Sequence, residues 1–399
     1  MRRWLLLFGL TAAVFASLPA HSQSLRDALE GAWSRQPAAR ATSAREDELT
    51  AKRDAATALF PEPPSINLGY RTDRPNQDTG IRELEGIMSV PVWTAGTRDA
   101  AQTLANAEAE QFDSGLRAQR WRLAGEVREA YWQARLAATE HELAQRKVDE
   151  AIVLTADIER RLRAGDVART DLNIARGAEQ LARVALAETR TRAYRARQAF
   201  AVLTGLKSLP AVAESVIGAP AELEAHPQLA AAGRVVTTAR AKVGQASVAT
   251  RDPPEIEVGV RRERGAFGEA YANSVVVGIK VPFATNARNQ PRITAANAEL
   301  IEADAAAMLE RQKLATDIDG AAVELEQAHE IETLAAERFR LAAETQVLFA
   351  RAFTLGELDL PARLRAENER FDAELALTRA RIEAGRAISR LNQARGVPP

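Results

Sequence analysis

The side chains that could bind a metal ion or transfer a proton are few and scattered in this sequence. The four histidines are His21, His141, His226 and His329, and cysteine does not occur. The histidines do not form an HExxH pair or another metal-ligand spacing, and no serine lies in a G-x-S-x-G turn. The GAFG stretch at 265–268 is typical of a turn rather than of a phosphate-binding loop. The sequence therefore predicts no catalytic residue, no metal site and no cofactor.

Charged side chains cluster instead beside two glycines that interrupt long helical patterns. Gly165 stands in the stretch RLRAGDVARTD, and Gly356 stands in RAFTLGELDLPAR, 191 residues later. Glycine readily adopts the left-handed conformation with which many helices end, so each glycine predicts a helix end followed by a return. Arginines precede Gly165, where cations suit the negative end of a helix dipole. Asp166 and Glu357 follow the glycines and would suit the start of the returning helices.

The two glycines are one sign that the chain is an internal duplication. NLGYR at 67–71 matches EVGVR at 257–261, and SVPVW at 89–93 matches KVPFA at 280–284. A heptad-like spacing of apolar residues also recurs at an offset of 191 residues, which is not a multiple of seven, so a generic heptad does not explain the agreement. The paired positions are Leu123, Val127, Ala130, Ala134, Ala137, Val148, Ala151, Ile158 and Leu162 with Leu314, Ile318, Ala321, Leu325, Ala328, Phe339, Ala342, Phe349 and Phe353.

Each repeat is predicted to contain a helix, two strands, a long helix and a returning helix, in that order. In the first repeat these elements cover 25–59, 64–72, 82–92, 95–164 and 167–204, and in the second 227–250, 254–262, 273–283, 286–355 and 358–395. At the usual helical rise the long helices would reach about 100 Å, which a compact globule cannot contain. The sequence therefore predicts an elongated, mainly α-helical protein with a small β part.

The chain begins with the pattern of an exported protein. Two arginines precede a short apolar run and a small-residue site, which predicts a cleaved signal peptide at 1–22. A membrane anchor is the competing interpretation, but the run is short for a spanning helix. The first repeat then covers 23–206, a linker 207–225 and the second repeat 226–399. Because 53 basic and 54 acidic side chains nearly balance, no nucleic-acid partner is predicted.

The predicted β-hairpins at 64–92 and 254–283 are apolar on one face only. Ile66, Leu68 and Tyr70 alternate with small or polar residues, and the other strands follow the same pattern. Four strands form either a soluble sheet that covers helices or part of a membrane barrel, for which eight strands is the smallest known number. Three chains contributing four strands each would close a twelve-stranded barrel without open edges. We favour the barrel, because the protein is exported and its helices are rod-like.

The ordered set of strand hairpins, long helices, Val-Pro pairs and glycine tips resembles the TolC-type outer-membrane efflux family. The pairs are Val90-Pro91 and Val281-Pro282, and the resemblance covers about residues 25–396. It implies a homotrimer that combines a twelve-stranded outer-membrane β-barrel with a long periplasmic α-helical barrel and catalyses no reaction. It also implies three kinds of partner, namely a periplasmic membrane-fusion adaptor protein, an inner-membrane RND-type pump and outer-membrane lipid.

The resemblance also suggests roles for the tips. Adaptor docking would involve the residues around both turns, namely Arg163, Gly165, Asp166, Val167, Leu355, Gly356, Glu357 and Leu358. Some family members place acidic rings six and nine residues after each glycine, where the channel narrows. Asp171 matches the first of these positions, whereas the second repeat has Ala362 and Arg365 there, and Asp359 lies nearer the turn. We therefore predict a mixed-charge gate of Asp171, Asp359 and Arg365, in which Asp171 pairs with Arg365 or another tip arginine across neighbouring helices, rather than an acidic ring that attracts cations. The alternative is that these side chains belong to a solvated helix face.

The sequence leaves the cargo open. A short chain without a lipidated cysteine resembles the channels of heavy-metal efflux systems, while drug efflux and type I protein secretion are alternatives. A protein of a different class, a periplasmic coiled-coil scaffold or adaptor without a pore, would be soluble without detergent. The one-sided apolar hairpins argue against a scaffold, which does not need them. The expectation is an exit duct of a tripartite efflux system, located in a Gram-negative outer membrane and extending far into the periplasm.

Overall fold

The computed structural model describes residues 24–211, 213–218 and 223–399, so the predicted signal peptide at 1–22 lies outside the described residues. The described chain is mainly helical and includes one four-stranded sheet, which confirms the predicted fold class. Its elements are α1 (Leu25–Trp33), α2 (Pro37–Thr57), β1 (Ser65–Thr72), β2 (Arg82–Pro91), α3 (Thr97–Ala164), α4 (Arg169–Thr204), a 3₁₀ turn (Leu223–Ala225), α5 (Pro227–Val248), β3 (Glu255–Arg264), β4 (Ala272–Lys280), α6 (Asn286–Thr354) and α7 (Leu360–Ala394).

The elements of the two repeats follow the same order, from α2 to α4 and from α5 to α7. Pro37 and Pro227 open α2 and α5 at a position where the missing N–H costs no hydrogen bond. The prediction of one continuous helix over 25–59 is wrong, because α1 ends at Trp33 and a new helix starts at Pro37. A proline disfavours the helical conformation in the residue before it, and Gln36 is accordingly extended (φ −68°, ψ 137°).

The long helices α3 and α6 contain 68 and 69 residues. Each therefore extends for about 100 Å. α4 returns along α3 and α7 returns along α6, while α5 and α7 join the two halves by packing against α3. The predicted seam positions are buried or half-buried, as at Val127 and Leu314. Small residues such as Ala373 and Ala384 dominate the seam of α7, and the distance between packed helices depends on side chains of this kind.

A buried ion pair holds part of the linker against the helices. Arg128 of α3 is 3% exposed, and its Nη2 donates to Glu214 Oε1 at 2.8 Å and to the Val397 carbonyl at 2.9 Å. The Glu214 carboxylate also accepts from the Ser389 hydroxyl of α7 at 2.7 Å, and Ser389 accepts from the Trp132 indole at 2.9 Å. Removing one partner of a buried ion pair typically costs about 3–5 kcal/mol, so this network joins α3, α7 and the linker firmly.

The four strands form one antiparallel sheet in the order β1-β2-β3-β4. In one row across it, Leu68 lies opposite Gly86, Gly86 opposite Val260, and Val260 opposite Val275. β2 pairs with β3, so the two repeats meet in the middle of the sheet. Within the described chain, β1 and β4 each have a neighbouring strand on one side only. Each edge therefore presents backbone N–H and C=O groups that can pair with a further strand.

Candidate functional site at the hairpin tips and the sheet

Both long helices end in the same hydrogen-bonded turn. After α3, Gly165 is left-handed (φ 89°), its N–H donates to the Leu162 carbonyl at 3.1 Å, and the Asp166 N–H donates to the Arg161 carbonyl at 2.9 Å. The corresponding bonds at Gly356 (φ 77°) are 3.1 and 3.0 Å long. This Schellman motif satisfies the last carbonyls of a helix. A Cβ added at either glycine would meet no atom within 4 Å, so the backbone conformation rather than lack of space favours glycine.

The returning helices are capped by two different halves of one motif. At the start of α4, the Asp171 carboxylate accepts from the Ala168 backbone N–H at 3.1 Å. At the start of α7, the Asp359 carboxylate accepts from the Ala362 backbone N–H at 2.9 Å. Ala168 is equivalent to Asp359 in the duplication, and Asp171 is equivalent to Ala362. Each repeat therefore carries one half of a capping box, and both halves place a carboxylate at the positive end of a helix dipole.

Asp166 and Glu357 do not start the returning helices, contrary to expectation. α4 begins at Arg169 and α7 at Leu360, so both acidic residues lie in the turns before the helices. The reason is that the connection between the helices is longer than predicted, and the capping carboxylates come later in the sequence.

The two tips share one apolar core. Its buried members come from four helices and are Leu154, Ile158, Leu172, Ala175, Phe353 and Leu360. The guanidinium carbons of Arg161 and Arg363 lie 5.2 and 5.1 Å from the centroid of the Phe353 ring. Asp157 accepts from Arg161 at 3.1 Å. Burial acts to raise the pKa of Asp157, but hydrogen bonds and attraction from Arg160 and Arg161 outweigh burial, and the pKa is lowered.

The predicted docking residues lie at the surface of the tips. The exposed ones are Arg163, Gly165, Asp166, Leu355, Gly356 and Glu357, and the half-buried ones are Val167 and Leu358. Val167 packs against the shared core, so it also supports the turn. Leu355 is 65% exposed, which places a large apolar side chain at the end of the molecule. The tips thus present both charged and apolar groups.

The predicted gate residues lie just behind the turns. Asp171 and Asp359 make the capping bonds of α4 and α7, and Arg365 is exposed on the second turn of α7. A pairing of Asp171 with Arg365 stays a prediction, since the contacts of Asp171 within its own chain are those of a helix cap.

One face of the sheet exposes a continuous apolar surface. Its large side chains are Ile66, Leu68, Tyr70, Leu84, Met88, Ile256, Val258, Val260, Val275, Val277 and Ile279. Their exposed fractions range from 42% for Ile256 to 82% for Leu68. Soluble monomers rarely leave a contiguous apolar patch of this extent uncovered. The strands contain 8, 10, 10 and 9 residues. These lengths approach the roughly 9 to 11 residues with which a tilted strand crosses a membrane.

The opposite face of the sheet carries ion pairs between strands. Arg261 Nε lies 2.9 Å from Glu83 Oε1, and Arg261 Nη2 lies 2.7 Å from Glu85 Oε1. These two ion pairs join β3 to β2. Lys280 lies 2.8 Å from Glu255, which joins β4 to β3. Opposite charges on adjacent strands stabilise their pairing. This face is therefore polar and carries charges of both signs.

Aromatic side chains lie at both ends of the apolar surface. Tyr70 and Tyr271 lie near the hairpin loops, and Trp93 and Phe283 follow the strands that lead into the long helices. The Trp93 indole donates to the Ala58 carbonyl at 3.0 Å, and Phe283 is 87% exposed. Aromatic belts at the two interfaces are typical of membrane barrels.

The described ranges, 24–211, 213–218 and 223–399, contain neither a metal-binding group of side chains nor a membrane-spanning helix. Within them, no three His, Cys, Asp or Glu side chains are placed to hold a metal ion. No helix there has both the length and the apolar character needed to cross a membrane. His226 is 2% exposed and caps α5, because its Nδ1 accepts from the Gln228 N–H at 3.2 Å. Burial lowers the pKa of His226.

The duplicated strands, rods and tips have counterparts among known proteins. Residues 28–206 match the family model of the outer membrane efflux protein. This segment contains the elements of the first repeat, and the second repeat has the same order of elements. The first repeat belongs to the outer membrane efflux protein family, and the second repeat is its internal copy. The resemblance noted from the sequence is confirmed.

Solved structures of membrane channels share the fold of this efflux protein. CusC gives a TM-score of 0.75 at 16% identity, over 94% of this chain and 92% of CusC. The open state of the Neisseria gonorrhoeae MtrE outer membrane channel gives 0.73 at 18% identity, over 94% and 89% of the two chains. The Campylobacter jejuni CmeC outer membrane channel gives 0.73 at 13% identity, over 93% and 85%. Among curated proteins, no sequence matches this efflux protein significantly.

Two parts of the efflux protein's site are not evident from its sequence. The contact of Arg161 and Arg363 with Phe353 joins residues of α3, α7 and α6, and no local pattern indicates which helices meet at the tips. The pairing of Arg261 with Glu85 joins the two repeats, and it depends on β2 being next to β3. The alternation of charged residues along the strands was the available signal, but it does not show which strands are neighbours.

Proposed function

We propose that this efflux protein works as a homotrimer and forms the outer-membrane exit channel of a tripartite efflux system. One observation carries the proposal: a sheet with one exposed apolar face and two open edges is joined to two very long helices. In lipid, unpaired backbone groups at a sheet edge cost several kcal/mol each, so an isolated four-stranded sheet is not viable there. Pairing with neighbouring copies removes both edges and places the apolar face against lipid.

The helical layer supports the same assembly. α4 and α6 form its two sides, because α3, α5 and α7 lie between them. Both sides expose large apolar residues within the length that α4 spans, such as Leu181 at 72% on α4 and Val347 at 63% on α6. In a ring of three copies, the exposed side of α4 packs against the exposed side of α6 from the next copy. The ring thereby buries apolar surface that a single chain leaves in water.

The polar face of the sheet lines the proposed barrel. Its carboxylates at Glu83, Glu85 and Glu255 are paired with arginine or lysine, so the lining carries mixed charge. A pore without a strong ring of one sign discriminates little between ions. We infer a passive duct whose cargo is chosen by the pump and the adaptor. Heavy-metal cations remain one candidate cargo.

The exposed tips are the proposed docking surface for a periplasmic membrane-fusion adaptor protein, which would connect the duct to an inner-membrane RND-type pump. Charged Arg163 and Asp166 lie at the first turn, and Leu355 and Glu357 lie at the second. Space around both turn glycines is open within the chain, so a partner backbone can approach the tips closely. We expect docking to depend on both turns.

Asp171, Asp359 and Arg365 are the proposed gate, formed when tips of neighbouring copies meet. Asp171→Asn separates the gate from the cap, because asparagine keeps an acceptor for the Ala168 N–H and removes the charge. If Asp171 closes the channel through an ion pair, Asp171→Asn and Arg365→Gln both raise the leak of the resting channel in a planar bilayer. If the Asp171→Asn channel leaks no more than the wild-type channel, Asp171 only caps α4.

Two adjacent valines provide a matched test of the barrel. Val277 lies on the apolar face of β4, and Val276 lies on the polar face. A lysine on the lipid face of a barrel costs about 2–4 kcal/mol near the bilayer midplane, and a lysine in the lumen costs little. We therefore expect Val277→Lys to abolish most membrane insertion and channel conductance, and Val276→Lys to insert like the wild type. Equal solubility of both variants without detergent would indicate a periplasmic scaffold instead.

A further inference from the structure

The apolar face of the sheet ends in arginines toward the hairpin loops. Side chains alternate along a strand, so Arg262 and Arg264 of β3 lie on the same face as Val258 and Val260. In the row of Arg262, the neighbouring side chains on this face include Tyr70 and Asn273. The outward face therefore changes from purely apolar to cationic near the loops.

These two arginines differ from the other arginines near them. Arg82 is paired with Asp73 at 3.2 Å and with Asp78 at 3.3 Å, and Arg261 on the opposite face is paired with two glutamates. In the described chain, Arg262 and Arg264 contact aromatic rings and a backbone carbonyl rather than a carboxylate. Their charges are therefore not neutralised by the protein.

Aromatic rings hold the two guanidinium groups in place. The Arg262 and Arg264 carbons lie 4.5 and 5.2 Å from the centroid of the same Tyr271 ring. Arg264 also lies 5.6 Å from the Phe267 ring, and its Nε donates to the Gly80 carbonyl at 3.0 Å. Stacking leaves the guanidinium edges free to donate hydrogen bonds. Two oriented cations beside one ring suit a doubly charged oxyanion such as a phosphate monoester.

A groove on the apolar face leads to these arginines. Gly86 has no side chain, and its neighbours across the sheet are Leu68 and Val260. The resulting groove has a volume of about 680 Å³, and Leu84, Val275 and Arg262 also line it. Its walls are apolar, and its end toward the loops is cationic. An acyl chain fits the walls, and an anionic headgroup fits the end.

We propose that this groove, together with Arg262 and Arg264, binds a phosphorylated glycolipid of the outer leaflet, with an acyl chain over Gly86 and a phosphate on the two arginines. The inference rests on the proposed function, because the face must lie in the outer membrane with the loops outside. Charge complementarity selects the occupant: the loop end of the barrel meets the leaflet that carries lipid A phosphates. The site would bind one lipid on each copy and fix the barrel against the membrane.

The test uses the detergent-extracted trimer, stripped of lipid and then mixed with purified lipid A or with lipid A whose phosphates have been removed. Native mass spectrometry counts the lipids bound to each trimer. We expect lipid A to bind at least about tenfold more tightly than the dephosphorylated form, as a lost charge-assisted contact predicts. The double variant Arg262→Gln/Arg264→Gln should lose this preference. Equal binding of the two lipids to the wild type would overturn the proposal.

Two further variants make the test specific. Arg71 lies at the same end of the sheet but on the opposite face, so Arg71→Gln should bind lipid A like the wild type. Gly86→Ile fills the groove and should weaken both lipids, because an added Cβ already lies 3.4 Å from Leu68 Cδ2. Unchanged lipid binding by Gly86→Ile would contradict the proposal that an acyl chain lies in the groove over Gly86. Displacement of lipid A by an equal concentration of inorganic phosphate would show that the arginines bind free anions instead.

The same preparation separates this inference from the proposed function. A trimer in the outer-membrane fraction that shows no lipid preference contradicts the lipid site alone. A soluble monomer contradicts the channel and the lipid site together.

Discussion

The tip after α3 and the tip after α6 have the same backbone but different side chains. Both turns place a left-handed glycine in a Schellman motif with bonds of nearly equal length. The returning helices, however, are capped in opposite ways, by Asp171, which is the third residue of α4, and by Asp359, which lies just before α7. The difference shows that the turn itself has little freedom, whereas several side-chain solutions can stabilise the helix that follows it. The charges exposed to a partner consequently differ between the tips.

The largest contrast is expected at the core that the tips share. Phe353 is buried between two arginines, and its equivalent in the first repeat, Leu162, is half-buried. Phe353→Ala should lower the free energy of opening the tips by about 3–5 kcal/mol, as for buried aromatic residues in general. Leu162→Ala should cost about 1–2 kcal/mol, because less apolar area is lost. Hydrogen exchange of amides in the last turns of α3 and α6 measures both. Equal losses of free energy in the two variants would contradict the predicted difference between Phe353 and Leu162.

The turn glycines should give equal effects, since their conformation and open surroundings are the same. Gly165→Ala and Gly356→Ala should each cost about 1–2 kcal/mol, which is the usual penalty for a left-handed residue with a Cβ. Asparagine tolerates this conformation better, so the matched Gly→Asn variants should cost less. Thermal unfolding of the two alanine variants compares them. A clear difference between the melting temperatures of the two variants would contradict the equivalence of the two turns.

Substitutions that remove a capping carboxylate should lower the stability of the returning helix by less than the substitutions above. Substitutions that complete a capping box should raise it. Asp359→Ala removes an N-cap and should cost about 1 kcal/mol, whereas Asp171→Ala removes only the reciprocal bond and should cost about 0.5 kcal/mol. Completing the box with Ala168→Ser or Ala362→Glu should stabilise the same helix. Exchange rates in the first turns of α4 and α7 report each change. No gain from either completed box would show that the present caps are already sufficient.

The smallest contrast is in the response to acid. Asp157 pairs with Arg160 and Arg161 in the first tip, and the equivalent residue of the second tip is Leu348. Because the folded-state pKa of Asp157 is lowered, its stabilising contribution is complete above its usual pKa of about 3.9 and is lost as the pH falls through the folded value. Partial exposure limits the contribution to less than about 0.5 kcal/mol. Hydrogen exchange measured at pH 3 and at pH 5 should show that acid opens the first tip more than the second tip. Asp157→Asn should remove this difference between the tips.

Much of this architecture follows from patterns within single elements. The heptad-like seams, the two glycines and the alternating strands predict the rods, the turns and the one-sided sheet, because each signal is local. The break before Pro37 was not predicted, although the proline itself was the available signal, because a proline disfavours the helical conformation in the residue before it. Contacts between distant elements were not predictable in the same way. The position of Phe353 between Arg161 and Arg363 depends on how four helices meet, and one sequence does not specify that packing.

The central claim is that three copies close one barrel, and the mass of the assembly tests it most directly. The protein is expressed from its full sequence, including the predicted signal peptide at 1–22, and the outer membranes are isolated. The mass of the detergent-extracted material is measured by native mass spectrometry, and the material is run on a gel without boiling. We predict a trimer in the outer-membrane fraction that becomes a monomer only on heating. A monomer that is soluble in the periplasm without detergent would contradict the barrel, and the glycine tips would then be hairpin turns of a helical scaffold.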